Sequence, residues 1–387
     1  MATIGIDVTA LSTPSSGGIG TSQYHTMRAL AELATPNRFV MYSAKPPVVP
    51  FSSVPLDLPW DLRLGHGPTT RSNIVWMQTG VNRLLAADGV DVFWSPRHLL
   101  PFRAPGVAKV ASVQDFWHRY HPEQQPLVNR TANSVLIDRV IKSADRVVTT
   151  SVATADDVVR FYSIDRDRVD VVPLGVDTAQ FAPVSAKGIA ETLSRHGIER
   201  PYVLSIDVFN PRKNFDTVLA AFAALPPDIR ERCDVVGVGR PRRTATGFDP
   251  HARTVALGLR GHVHILEDVS ASDLVALYSG AVTLVYPSVY EGFGMPVLEA
   301  MACGCPVITS SSSSLPEVAG LAGVLVHPED TAGLGRAITR LVTDESERER
   351  LSAAGHERAS KFTWHRTAEG MLESFDRALQ TRREGAS

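Results

Sequence analysis

The run TIGIDV (Thr3–Val8) opens an alternation of short apolar runs and amphipathic stretches that limits this chain's possible folds more than any single residue does. A brief apolar run followed by a polar link and a helical stripe reads as a buried strand leading into a helix. The stripe comes next, in TSQYHTMRALAEL, where Tyr24, Met27, Leu30 and Ala31 stand at helical spacing. RFVMYS, VDVFWS, VAKVASV, DRVVTT and VDVVPLG continue the strand-like series. Such alternation predicts a parallel sheet covered by helices on both faces.

The pattern lapses over DTAQFAPVSAKGIAETLSRHGIERP and then starts again. YVLSIDV, CDVVGVG, VHILEDV, VTLVYPS and PVITSS read as strands, and FDTVLAAFAAL as a helix with Phe215, Val218, Leu219 and Phe222 on one stripe. At 387 residues the chain is too long for one typical domain. The expected class is α/β, with two doubly wound Rossmann-like domains over residues 1–183 and 184–364. A terminal helix over 365–387, apolar at Met371, Leu372, Phe375 and Leu379, is expected to cross back to the first domain. Ligands of such sheets bind beyond the carboxyl ends of the strands. Two sheets facing each other therefore predict a substrate cleft between domains.

Charge removes one class of function. With 39 Lys+Arg against 41 Asp+Glu, the chain lacks the basic excess of a nucleic-acid binder. Cys233, Cys303 and Cys305 make no disulfide framework, which fits a reducing compartment. The opening MATIGIDVTALSTP has no basic n-region, so no signal peptide is expected. No apolar run approaches the ~20 residues of a membrane span. The expected location is cytoplasmic, with the inner membrane surface as the alternative.

The stretch YPSVYEGFGMPVLEAMACGCPVI (Tyr286–Ile308) concentrates the chemistry. It reads as strand, loop and helix, with Pro296 at an early helical position and Gly304 as a left-handed stop. The helix then aims its open N–H groups and positive dipole end at the loop, a site suited to phosphate. Gly292 and Gly294 would let a ligand approach the backbone. Glu291 is expected at the mouth of the loop and Glu299 about one turn into the helix. Carboxylates beside a phosphate make sense as acceptors for neutral hydroxyls on either side, as a nucleotide sugar provides. A plain capping loop with a glutamate near the dipole accounts for the same letters without a ligand.

Two further elements bear on that choice. NPRKNFDTV sets Arg212 and Lys213 before another helix, with Asn214 as the expected N-cap. Adjacent cations at a helix N-terminus call for an anion, and a diphosphate leaving group would serve. An exposed basic loop is the plainer alternative. SSGGIGTSQY offers Gly17, Gly18 and Gly20 as a flexible loop able to pack on a phosphate. Neither it nor GFGMPV completes a dinucleotide fingerprint, and no P-loop occurs. His118 and His121 read as loop histidines rather than metal ligands. The serine run Ser310–Ser314 reads as a loop.

In this order GGIG, VQDFWHRYHPE, ADRVVTTSVATADDV, VDVVPLGVD, PRKN, EGFGMPVLEAMACGCPVI, SLPEVAG and FTW resemble the retaining glycosyltransferases of family 4, which have the GT-B fold. The likeness spans nearly the whole chain and is nearest to the mannosyltransferase branch that uses GDP-mannose. It implies that Arg212 and Lys213 neutralise the diphosphate and that Glu291 lies near the transferred sugar's hydroxyls. Glu299 would hold the ribose, and backbone amides of Phe293, Gly294 and Met295 would meet the sugar and diphosphate. Gly18 and Gly20 would form the opposing loop. No metal or other cofactor is implied, only a nucleotide-sugar co-substrate and a saccharide or lipid-linked glycan acceptor. Family members commonly have His-Asp where this chain has Gln114-Asp115. Glutamine cannot take up a proton near neutral pH, so Gln114 is expected as a donor-sugar contact rather than a base. A GDP-deoxyhexose or UDP-hexose donor, a nucleotide-sugar epimerase and a silent nucleotide-sugar-binding protein are the other readings.

Overall fold

The computed structural model describes residues 1–12, 17–47, 58–97, 99–121, 137–241 and 248–384. The chain divides into two compact units, residues 1–175 with 364–387, and residues 176–363.

In the first unit seven parallel strands stand in the order β3-β2-β1-β4-β5-β6-β7. They are β1 (Thr3–Asp7), β2 (Arg38–Ser43), β3 (Asp61–Leu64), β4 (Val92–Ser95), β5 (Ala108–Val113), β6 (Arg146–Thr149) and β7 (Val169–Val171). β1 pairs with β2 on one side and β4 on the other, so the strand order reverses there. At that point Asp7, buried at the end of β1, accepts hydrogen bonds from Thr9 N (3.0 Å) and Ser95 Oγ (3.0 Å). β3, which the sequence pattern did not suggest, is an edge strand with no buried residue.

The last helix, Trp364–Glu384, belongs to this first unit. Its Ala368, Met371, Phe375 and Ala378 join Ile6, Met27, Trp94 and Val110 in one core. Buried Asp170 fastens it, accepting from Ser374 Oγ (2.8 Å), Arg377 NH1 (2.7 Å) and, from β6, Arg146 Nε (2.9 Å).

In the second unit six parallel strands run β10-β9-β8-β11-β12-β13. These are β8 (Tyr202–Ile206), β9 (Asp234–Val238), β10 (Val263–Leu266), β11 (Thr283–Tyr286), β12 (Val307–Ser310) and β13 (Val324–Val326). β9, β11 and β12 are buried throughout, as strands between two helical layers must be. The order reverses between β8 and β11. Residues 176–183, expected in the first domain, belong to this unit instead. Val176 N donates to Phe362 O (3.0 Å), and Phe181 packs edge-on against Tyr278. Among the described residues no helix is long and apolar enough to cross a membrane.

Candidate active site

β8 and β11 are adjacent and parallel, so the loops that follow them leave the second sheet at the same edge, at its reversal point. The loop after β8 makes a short turn over Pro211–Lys213, and Asn214 follows in the left-handed region (φ 58°) before the helix Phe215–Ala223. Expected as a capping side chain, Asn214 holds the cap position but caps no N–H. Its left-handed backbone turns the amide elsewhere: Nδ2 donates to Pro287 O (3.2 Å) and Pro328 O (2.7 Å), joining the loops after β11 and β13. Val289 N and Ser288 Oγ both donate to Arg212 O at 2.9 Å, fixing the loops after β8 and β11 to each other further.

Lys213 lies within this junction, only 8% exposed, and its ammonium meets Glu291 Oε1 at 2.5 Å. The loop is not the exposed basic one of the plainer alternative, and the anion these cations call for is present in the chain: Glu291, expected at the loop mouth, is buried beside them. Tyr286 OH donates to the same Oε1 (2.9 Å), the Ser288 hydroxyl lies 2.7 Å from it and shares its one proton between it and Arg212 O, and Oε2 faces Arg212 NH2 at 3.6 Å. Burial alone would raise the Glu291 pKa, but Lys213 and Arg212 outweigh it and hold the carboxyl below its usual value. Burial lowers the Lys213 pKa, with Glu291 opposing. The Lys213 ammonium also lies 5.1 Å from the Tyr286 ring centroid.

The glycine-rich turn leads into the helix Met295–Ala302, with Pro296 in its first turn and Gly294, which has no side chain to cap with, at the N-cap. Gly294 has φ 123°, where only glycine is comfortable, and a Cβ there would lie 2.7 Å from Leu315 Cδ2. At the far end Gly304 (φ 76°) closes the helix, with Gly304 N bonded to Met301 O and Cys305 N to Ala300 O. Phe293 is buried against Phe362. Glu299 receives a hydrogen bond from Tyr278 OH (3.1 Å), and burial raises its pKa to about 7. The two glutamates thus differ in kind: one is charged and paired, the other is close to its titration point at neutral pH.

The remaining expected residues lie in the first unit. Gly18 and Gly20, expected in a loop, are in the first turn of the helix Gly17–Glu32. Glycine costs a helix little at that end, where the N–H groups have no intrahelical partner in any case. Among the described residues nothing lies within 4 Å of where a Gly18 Cβ would stand. Gln114 follows β5 and lines a pocket with Ser22, Gln23, Thr26, Ser112 and Thr150. Gln23 Nε2 donates to Asp7 O (2.7 Å), while its buried Oε1 has no partner among the described residues. Sequence patterns did not single out Tyr286, Ser288 or the bridging role of Asn214. Their only signal was position, within a few residues of Glu291 or Lys213.

Family models match both units: "Glycosyltransferase Family 4" over residues 16–180 and "Glycosyl transferases group 1" over residues 191–358. The O-antigen chain mannosyltransferase B of Escherichia coli is 31% identical over 277 residues, 70% of this chain and 71% of that protein. The chain is a family 4 glycosyltransferase. A D-inositol 3-phosphate glycosyltransferase of Salinispora arenicola is 34% identical to this glycosyltransferase over 62% of its length and 57% of the relative's. Solved structures share the GT-B fold. Sucrose-phosphate synthase from Thermosynechococcus elongatus superposes with TM-score 0.74 at 21% identity, covering 100% of both chains. Anabaena HepE in complex with UDP superposes with TM-score 0.75 at 16% identity, over 97% of this glycosyltransferase and 100% of HepE.

Proposed function

We propose that this glycosyltransferase moves a hexose, mannose from GDP-mannose, onto a saccharide or lipid-linked glycan acceptor with retention of configuration. The observation that carries the reading is that Arg212, Lys213 and the start of the helix Met295–Ala302 follow adjacent strands at one edge of one sheet, with Glu291 pairing both cations. Two cations and a helix N-terminus suit a diphosphate whose charge grows as it departs. The mannosyltransferase relative supports the choice of sugar.

In this reading the bond from the sugar's anomeric carbon to phosphate breaks, and a bond to the acceptor oxygen forms on the same face. The acceptor proton passes to the leaving phosphate oxygen. Arg212 and Lys213 take up the developing charge, so no metal is required. Glu291 keeps Lys213 charged and placed, with Oε2 on the side of Arg212 and the sugar. Glu299 in its carboxylate form accepts from the ribose hydroxyls. Amides of Phe293, Gly294 and Met295 meet the sugar and diphosphate. Gly18 and Gly20, in the first turn of their helix, and Gln114 are the donor contacts assigned to the first unit. The reaction is placed in the cytoplasm or at the inner membrane surface.

Incubating the protein with GDP-mannose, a GDP-deoxyhexose or UDP-hexoses, each with short glycosides and EDTA, tests this. A mass gain of one hexose from GDP-mannose, with an α-linkage by NMR, is expected. Transfer only from a UDP-hexose would replace the donor. Product formed without an acceptor would replace the transferase by an epimerase or hydrolase.

A further inference from the structure

The serine run after β12 is hydrogen-bonded to the donor loop. Ser314, fully buried, places its hydroxyl 2.9 Å from Glu291 O and 2.7 Å from Phe293 O, donating across both. Ser313 Oγ accepts from Glu291 N at 2.9 Å. To do so Ser313 adopts φ 52°, a conformation that costs energy for any residue but glycine. Leu315, the next residue after Ser314, fills the space that a side chain at position 294 would need. Residues 291–294 and 313–315 therefore interlock through three hydrogen bonds and one close approach.

Peptide geometry gives this a directional consequence. Across a trans peptide the C=O of one residue and the N–H of the next point in opposite directions. Holding Glu291 O and Phe293 O toward Ser314 turns the N–H groups of Gly292 and Gly294 to the opposite face of the loop. The Gly294 N–H, on that face and leading into a helix N-terminus, suits an anionic oxygen. Glycine peptides would otherwise rotate freely between many orientations.

We infer that Ser314, aided by Ser313, is a positioning residue for the donor's diphosphate: it fixes the peptide plane that carries the Gly294 N–H before the donor arrives. This rests on the proposal that the second unit binds a nucleoside diphosphate sugar. The serine run thus serves the same site as the basic pair, although neither hydroxyl need touch the ligand. Preorganised donors act without reorganisation at the moment of reaction.

Calorimetric titration with GDP and UDP, and with guanosine and uridine, tests the inference in wild type, Ser314→Ala and Ser313→Gly. The expected result for Ser314→Ala is a loss of about tenfold or more in diphosphate affinity with nucleoside affinity unchanged. Ser313→Gly, which relieves the left-handed strain but removes the acceptor for Glu291 N–H, should show the same selective loss. That second variant decides the matter should Ser314→Ala fail to fold. Unchanged diphosphate affinity in a folded variant overturns the inference, as does an equal loss for nucleoside and diphosphate, which marks general loosening. A wild type that binds neither GDP nor UDP instead overturns the parent proposal.

Discussion

Lys213 and Glu291 stand 78 residues apart in sequence and meet as a buried ion pair, with Nζ 2.5 Å from Oε1. Each follows a different strand, and the pair exists because β8 and β11 are neighbours at the sheet's reversal point. Removing one partner leaves the other charged, buried and unpaired, a penalty of about 3–5 kcal/mol. Glu291→Ala should therefore lower the unfolding temperature clearly in scanning calorimetry. The double variant Lys213→Met with Glu291→Leu should recover most of that stability and none of the activity. A single variant that melts like wild type would show that the pair is not held in low dielectric.

Glu299 predicts two opposite pH trends. Its ordinary pKa is 4.5, and burial raises it to about 7. The folded chain therefore keeps a proton that the unfolded chain has already lost between those values. This group's contribution to stability is complete below 4.5 and is lost as pH rises through 7. Glu299→Gln should thus unfold at a higher temperature than wild type at about pH 8, and differ little at about pH 4. With Glu299 in its proposed role at the ribose, ligand binding should run the other way, since only a carboxylate can accept from two hydroxyls at once. Wild-type nucleotide affinity should rise as pH passes through about 7, and that of Glu299→Gln should stay flat. Parallel profiles for the two proteins would remove Glu299 from the ribose.

Gly294 is constrained twice, by φ 123° and by Leu315 Cδ2 at 2.7 Å from a Cβ built there. Gly294→Ala should reduce donor affinity about tenfold or more, because the helix entry and its N–H groups must shift. Adding Leu315→Ala clears the space but leaves the backbone strain. Full recovery of donor binding in that double variant would mean that crowding alone kept glycine in place.

Asn214 separates backbone shape from side-chain bonding. Asn214→Gly permits φ 58° and loses both bonds to prolyl carbonyls, while Asn214→Asp also sets a carboxylate against those carbonyls. Both should lower kcat/KM about tenfold, with Asp the worse of the two. A fully active Asp variant would show that the three loops hold together without this amide.

Much of this architecture is legible in the letters because its strands are buried on both faces. CDVVGVG and VTLVYPS, as continuous apolar runs, need no partner to be recognised. β3 and β13 escaped for the opposite reason. DLRL is half charged and lies at an edge, with Arg63 paired to Asp61 and Asp88, and VLV is three residues long with Leu325 40% exposed. The glycines of GGIG suggested a loop, yet the first turn of a helix tolerates them where its interior would not.

The candidate site divides along the same line. Arg212, Lys213 and Glu291 stand out as candidates because each follows a strand end, where ligands bind in this class of sheet, and Glu299 because it lies one turn into the next helix. What Glu291 touches was not legible. Its partners Tyr286 and Ser288 are close in sequence, but Lys213 and Ser313 reach it across the sheet edge, and spacing says nothing about such contacts.

The anchoring of the last helix by Asp170 has a consequence for synthesis. The first unit's core includes Met371 and Phe375, which leave the ribosome only after the whole second unit has done so. The second unit is contiguous in sequence, so it can complete its core first, while the earlier-made sheet waits with an apolar face uncovered. Pulsed proteolysis of stalled nascent chains should find residues 176–363 protected before residues 1–175. Of the two units, the one made first would then be the one finished last, and the helix from Trp364 the piece that ends its exposure to chaperones.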